Sequence, residues 1–292
     1  MALAVLVALA SIAPLASAWG PVSHQLFACA LVAPADCVSA DGSFVLGAFS
    51  PDAFKTDHRQ MHDFGYASAQ VEYARSLPQP TAPSHFNATA FSLGFVAHLL
   101  QDHVGHHANG YEDAHGLVLR QNGHSVSNLC SLLPILHFRF LNPLEDHPLE
   151  LAVDALEWKN KPTGFSVHTA NDEAYAFVAN ATAAWNASLA ISAAQAAQQW
   201  QRFGLFMLAE QAIISLDFTY QGDIIKYDVC NASDWSHAQA NLQLAQKWSQ
   251  TAVQLFVDAV SNPAVPAAEA IKRSLAWVEG TFVANGGNGC AK

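Results

Sequence analysis

Charge is what this sequence has least of. Asp, Glu, Lys and Arg make up only 13% of the 292 residues, and 13 Lys and Arg stand against 24 acidic residues, a formal net charge of −11. A chain so poor in cations lacks the basic surface that draws nucleic acid or anionic lipid from a distance. It remains free to bind phosphate through a local metal site. Cysteine is also scarce. Cys29, Cys37, Cys130, Cys230 and Cys290 show no CxxC spacing, which argues against a cysteine-ligated zinc. In an oxidising compartment Cys29–Cys37 is the local disulfide candidate, and the odd count leaves at least one thiol unpaired or intermolecular. Strand-type alternation and short repeats are missing, which turns the reading toward helices. Beyond the N-terminus no apolar run reaches membrane-spanning length.

What is present begins with residues 1–18, an apolar run ending in Ala16-Ser17-Ala18, the pattern of a cleaved secretory signal peptide. Cleavage there makes Trp19 the first residue. The sequons at Asn87, Asn180, Asn186 and Asn231 suit the same route and predict a secreted or endomembrane-luminal glycoprotein. Residues 19–292 are expected to form one all-α domain, monomeric, with one large core. Helices are predicted over 64–77, 89–107, 146–158, 171–189, 191–217, 236–260 and 264–282. The apolar stretch Phe44–Phe49 is expected to break at Ser50-Pro51 and to present Asp52 from a loop.

Thirteen of the fourteen histidines lie before residue 170, which points to local chemistry. The sharpest element is His98-Leu-Leu-Gln-Asp102-His-Val-Gly-His106. On a helix, positions i, i+4 and i+8 share a face, so His98, Asp102 and His106 would present imidazole, carboxylate and imidazole in a row. These are good zinc ligands, and the apolar neighbours Phe95, Val96, Leu99 and Leu100 make burial without a partner costly. His103 and His107 fall on neighbouring faces. Ser50-Pro-Asp52 and His62-Asp63 form a second element, in which His58 and Asp63 compete with His62 as ligands. His147, Glu150 and Asp154 share a helical face and form a third, although acidic residues are also favoured at a helix start. The fourth is Trp19, whose free amino group and carbonyl can chelate a metal, with His24 five residues on.

The ordered series Trp19, His24, Asp52, His62, His98-x3-Asp102, His106 and His147 with a following carboxylate resembles the zinc-dependent phospholipase C superfamily. That superfamily includes the single-strand-specific zinc nucleases. The likeness is nearest to the N-terminal catalytic domain of glycosylphosphatidylinositol-specific phospholipase D and covers roughly residues 19–160. It implies a multi-helix fold of phospholipase C/zinc nuclease type and three Zn2+ ions. One ion would be held by Asp52, His62, His98 and Asp102, and a second by Trp19 and His24, with Asp102 as a bridge. The third would use His106, His147 and either Glu150 or Asp154. The sequence departs from this pattern in the short Asp102–His106 spacing and in carboxylates three and seven positions after His147 rather than four. No β-propeller follows before Lys292, which turns the expectation away from a glycolipid-anchor substrate.

The activity the resemblance implies is phosphodiester hydrolysis, with zinc supplying the positive charge that Arg and Lys supply elsewhere and activating water. Asp52 is the candidate catalytic residue, orienting or deprotonating that water. The expected substrate is a phospholipid or another phosphodiester, reached by transient contact with a membrane surface. Nucleic acid is the substrate under the nuclease alternative, and a metal-binding glycoprotein without catalysis is the rival of another class. Phe54, Phe64 and Tyr66 are candidates to line the approach, or to lie in the core.

Overall fold

The structure is a computed structural model that describes residues 20–33, 37, 42–54, 62–78, 86–106, 147–161, 163, 169–214, 221 and 234–284. Among the described residues the regular elements are all helical: α1 (Pro21–Cys29), α2 (Ser43–Ala53), α3 (Phe64–Ser76), α4 (Ala88–His106), α5 (His147–Lys159), α6 (Asp172–Trp185), α7 (Ala193–Ile214), α8 (Trp235–Val260) and α9 (Ala267–Ala284). None is long and apolar enough to cross a membrane.

Local chemistry explains the ends. Asp63 starts α3 by accepting from the Tyr66 amide at 2.9 Å. Asn87 starts α4 through Ala90, and Asn171 and Asp234 start α6 and α8 in the same way. Asn186 ends α6, and its side chain accepts from Ser188 in the short 3-10 turn Ala187–Leu189, which splits the single helix expected over 171–189. Helix α1 was not anticipated, although Gly20 followed by Pro21 at the first helical position is a recognisable start. A disulfide joins Cys29, its last residue, to Cys37, with the Cα atoms 4.9 Å apart.

Helix α4 is the centre of the assembly, packed against α1, α2, α3, α8 and α9. Its most extensive neighbour is α2. The two run side by side in the same sense. The Asn87 amide donates to the Ser43 hydroxyl at one end, and Asp52 faces His98 toward the other. Gly47 and Gly94 make this possible. A Cβ on Gly47 would run into the Phe91 carbonyl oxygen, and one on Gly94 into the Phe44 carbonyl oxygen. The helices therefore touch backbone to backbone at two reciprocal points, an approach open to glycine alone. Outside this pair, Phe49 and Phe54 pack on Trp200 of α7, and Phe86 and Phe91 on Phe177 of α6, within one continuous hydrophobic core. Arg75 and Glu72 of α3 clasp the α8–α9 turn. Arg75 donates to the Val260 and Val265 carbonyls, and Glu72 accepts from the Ala267 amide.

The structure corrects one expectation here. The chain does not break at Ser50-Pro51: Pro51 lies inside α2, and Asp52 projects from its last turn rather than from a loop. Proline removes the donor that would reach the Gly47 carbonyl, and the helix runs only two residues further, to Ala53. The Ser50 hydroxyl, bonded to the Leu46 carbonyl at 2.6 Å, keeps this turn closed.

The glycine contact yields a test. Replacing Gly94 with alanine adds about 1 kcal/mol of helix propensity, yet it should destabilise the protein by about 2 kcal/mol net, because the obstacle is backbone that cannot yield. Thermal unfolding should show a Tm lower by roughly 4–8 °C. A Tm at or above that of the parent would mean that the two helices do not meet in this way.

Candidate metal centre

Three helices and one turn bring five side chains together: His24 from α1, Asp52 from α2, His62 just before the start of α3, and His98 and Asp102 from one face of α4. All are buried, His24 and His98 completely. His98 Nε2 lies 3.1 Å from Asp102 Oδ2, 3.1 Å from His62 Nε2 and 3.9 Å from Asp52 Oδ1. His62 Nε2 lies 3.4 Å from Asp52 Oδ1 and 3.6 Å from Asp102 Oδ2. The other oxygen of Asp102 faces His24 Nε2 at 3.1 Å. The His24 and His98 rings stack with centroids 3.7 Å apart.

Two groups that sequence reasoning missed set the ring orientations. The Ala48 carbonyl accepts from His98 Nδ1 at 2.8 Å. A carbonyl can only accept, so Nδ1 carries the hydrogen and the Nε2 lone pair of the neutral ring points into the cluster. Gln101 holds His24 similarly, with its Oε1 2.7 Å from Nδ1. Gln101 follows from the helix, being next to Asp102, but its role needs the position of α1. The Ala48 carbonyl leaves no mark in side-chain chemistry at all.

The electrostatics are those of a site short of positive charge. Burial would raise both carboxylates, but the imidazoles outweigh it and hold Asp52 and Asp102 below the ordinary range. Burial and the neighbouring His24 hold His98 below its ordinary value, which keeps it neutral. Burial also pulls on His24, yet the Asp102 carboxylate, with smaller help from Asp52 and Gln101, pushes it up to about 9. Among the described residues no hydrogen bond of good geometry reaches either oxygen of Asp52, and the nearest donor is His62 Nε2 at 3.4 Å. Any single hydrogen on His62 Nε2 faces three acceptors at once: His98 Nε2, Asp102 Oδ2 and Asp52 Oδ1. A cation among these atoms would satisfy them all.

The donor spacing fits that solution. Metal bonds of about 2.0–2.1 Å in a tetrahedron place neighbouring donors roughly 3.3 Å apart. Within the triad His62, His98 and Asp102 the donor separations are 3.1, 3.1 and 3.6 Å, and Asp52 Oδ1 stands 3.4 Å from His62 Nε2 and 3.9 Å from His98 Nε2. Imidazole and carboxylate donors suit zinc among the common ions. The buried His and Asp cluster can therefore hold a metal ion.

The remaining candidates fall elsewhere. Asp63 is the cap of α3, which leaves His62 as the member of that pair in the cluster. His103 packs edge-on to Phe64, where burial lowers it to about 4. Phe54 and Tyr66 are core residues, Tyr66 bonding Thr182 and Gln70. Asp154 is buried, but its carboxylate sits at the start of α1, accepting from the Val22 amide, the Ser23 amide and the Ser23 hydroxyl. Trp19, His58, His107 and the side chains of His106, His147 and Glu150 lie outside the described residues, and with them the third zinc position. Compared with protein families, with curated proteins and with solved structures, the chain matches none.

A pH test follows for protein kept metal-free by a chelator. His24 has a folded pKa of about 9 against an ordinary 6.5. Its contribution is fully present below pH 6.5 and is lost as pH rises through 9, on the order of 3 kcal/mol at 1.36 kcal/mol per unit. Metal-free protein should lose stability from pH 7 to 10 in denaturant titrations. Zinc requires the deprotonated ring, so added zinc should remove or reverse this slope. The same slope with and without zinc would exclude His24 as a ligand.

Proposed function

We propose that the protein is a zinc-dependent phosphodiester hydrolase of phospholipase C type. The observation that carries this reading is the convergence of His62, His98 and Asp102, with Asp52 beside both imidazoles and a second oxygen of Asp102 turned to His24. The division of donors follows the order of ligands in the superfamily that the sequence resembles. One ion fits the first four side chains and another fits beside His24, with Asp102 shared.

Bound zinc would supply a Lewis acid for the phosphoryl oxygens and lower the pKa of water toward about 7. The chain's own residues provide the rest. The Ala48 carbonyl and Gln101 lock the tautomers of His98 and His24, as partners of ligating histidines generally do. Asp52, held below the ordinary carboxylate range by the imidazoles around it, would orient the attacking water and accept its hydrogen bond. The five side chains are themselves buried, which strengthens each of these interactions.

Charge favours lipid over nucleic acid as the substrate. A chain with a net charge of −11 repels a polyanion, whereas a zwitterionic phospholipid brings one phosphodiester without that penalty. The exposed sequon residues Asn87, Asn180 and Asn186 suit a protein that passes through the secretory route.

Metal analysis of purified mature protein should find at least two zinc ions per chain. Replacing Asp102 with alanine should remove more than one of them, because both oxygens are engaged. Asp52→Asn should weaken the ion held with His62 and His98 and lower hydrolysis of phosphatidylcholine micelles by roughly 100-fold or more. Zinc-loaded protein inactive on phosphatidylcholine, single-stranded DNA and a chromogenic phosphodiester would leave only a metal-binding role. Activity on DNA alone would move the assignment to the nucleases.

A further inference from the structure

We propose that Asp154 is a positioning residue for the metal centre: from α5 it holds the first turn of α1 and so sets where His24 meets Asp102. The geometry stands without a metal, while the consequence for metal binding rests on the reading above.

Helix α1 has no cap of its own, because its N-cap residue is Gly20 and no local side chain bonds to its first turn. The missing acceptor comes from a residue about 130 positions away. Asp154 takes the Val22 and Ser23 amides at 2.9 Å each, and the Ser23 hydroxyl at 2.5 Å, so both of its oxygens are used. A β-carbon on Gly20 would overlap the Asp154 carboxylate, so glycine there opens the space in which the acid sits. The same turn closes at His24, whose amide bonds to the Gly20 carbonyl at 3.2 Å. His24 has little freedom beyond that point, being held between Gln101 and Asp102.

The placement is costly for a mere cap. Asp154 is fully buried beside Glu157 and Glu210, and burial pushes it up to about 6. A serine or asparagine at position 20 would stabilise the helix from solvent without that expense. A distant acid adds what a local cap lacks: it registers α1 against α5 and, through Glu210, against α7. For a helix of nine residues, too short to persist alone, that registration determines where its histidine lies.

The test uses the full secreted chain with Asp154→Ala, Asp154→Asn and Gly20→Ala. Amide exchange is measured on chelator-treated protein, and zinc affinity by titration. Asp154→Ala is expected to speed exchange in residues 21–29 at least tenfold while α4 keeps its protection. It should also weaken one zinc equivalent by 10–100-fold and leave the ion at Asp52, His62 and His98 in place, as loss of a supporting partner does at other metal sites. Gly20→Ala should reproduce this pattern, and Asp154→Asn, which keeps one acceptor oxygen, should fall between. Unchanged exchange in α1 overturns the proposal, as does equal weakening of every zinc. General loss of protection in Asp154→Ala with a normal Gly20→Ala also overturns it. If the parent binds no zinc, the functional reading fails, and α1 exchange alone decides the role of Asp154.

Discussion

Backbone contact between α2 and α4 is the constraint on which the buried His and Asp cluster rests. With Gly47 and Gly94 at the crossing, the Ala48 carbonyl comes within reach of the His98 ring and Asp52 comes level with His98. Helices separated by ordinary side chains lie 8–10 Å apart, which would leave Asp52 short of the imidazoles. The two carboxylates come from different helices, yet they share the same pair of imidazole nitrogens. Close packing here thus serves geometry first and cohesion second.

The second constraint is electrical. Two carboxylates and three imidazoles are buried within a few ångströms, an arrangement whose desolvation cost rivals its internal attraction. Without a metal the carboxylates draw protons onto His24 and leave His98 neutral, a compromise that no single hydrogen resolves. Stability and metal affinity are therefore linked, since the groups that must lose protons to bind an ion are those whose protons offset the buried charge. Asp154 and Glu157 show the opposite bias, with carboxyls raised by burial among other acids.

Much of this was legible in the sequence where one helix carries the pattern. His98 and Asp102 share a face because four residues separate them, and periodicity suffices to say so. The helical class and most helix ends follow from the same spacing and from capping residues such as Asn171. Relations between elements were less visible. Asp52 was read as a loop residue because Pro51 suggests a break, but proline near the end of a helix is compatible with its continuation. Asp154 looked like a ligand because of its register with His147, whereas the start of α1 claims its oxygens. That contact spans 132 positions and involves backbone amides, which no side-chain motif encodes. Gly47 and Gly94 were unreadable for the same reason, since each matters only through the helix it faces.

The disulfide at the far end of α1 completes this arrangement. Cys29 lies five residues beyond His24 and is bonded to Cys37, while the start of the helix is held by Asp154. The bridge ties down the last residue of α1. Both ends of α1 are thus fastened by side chains outside it, and His24 sits as one point on a rod clamped at either end.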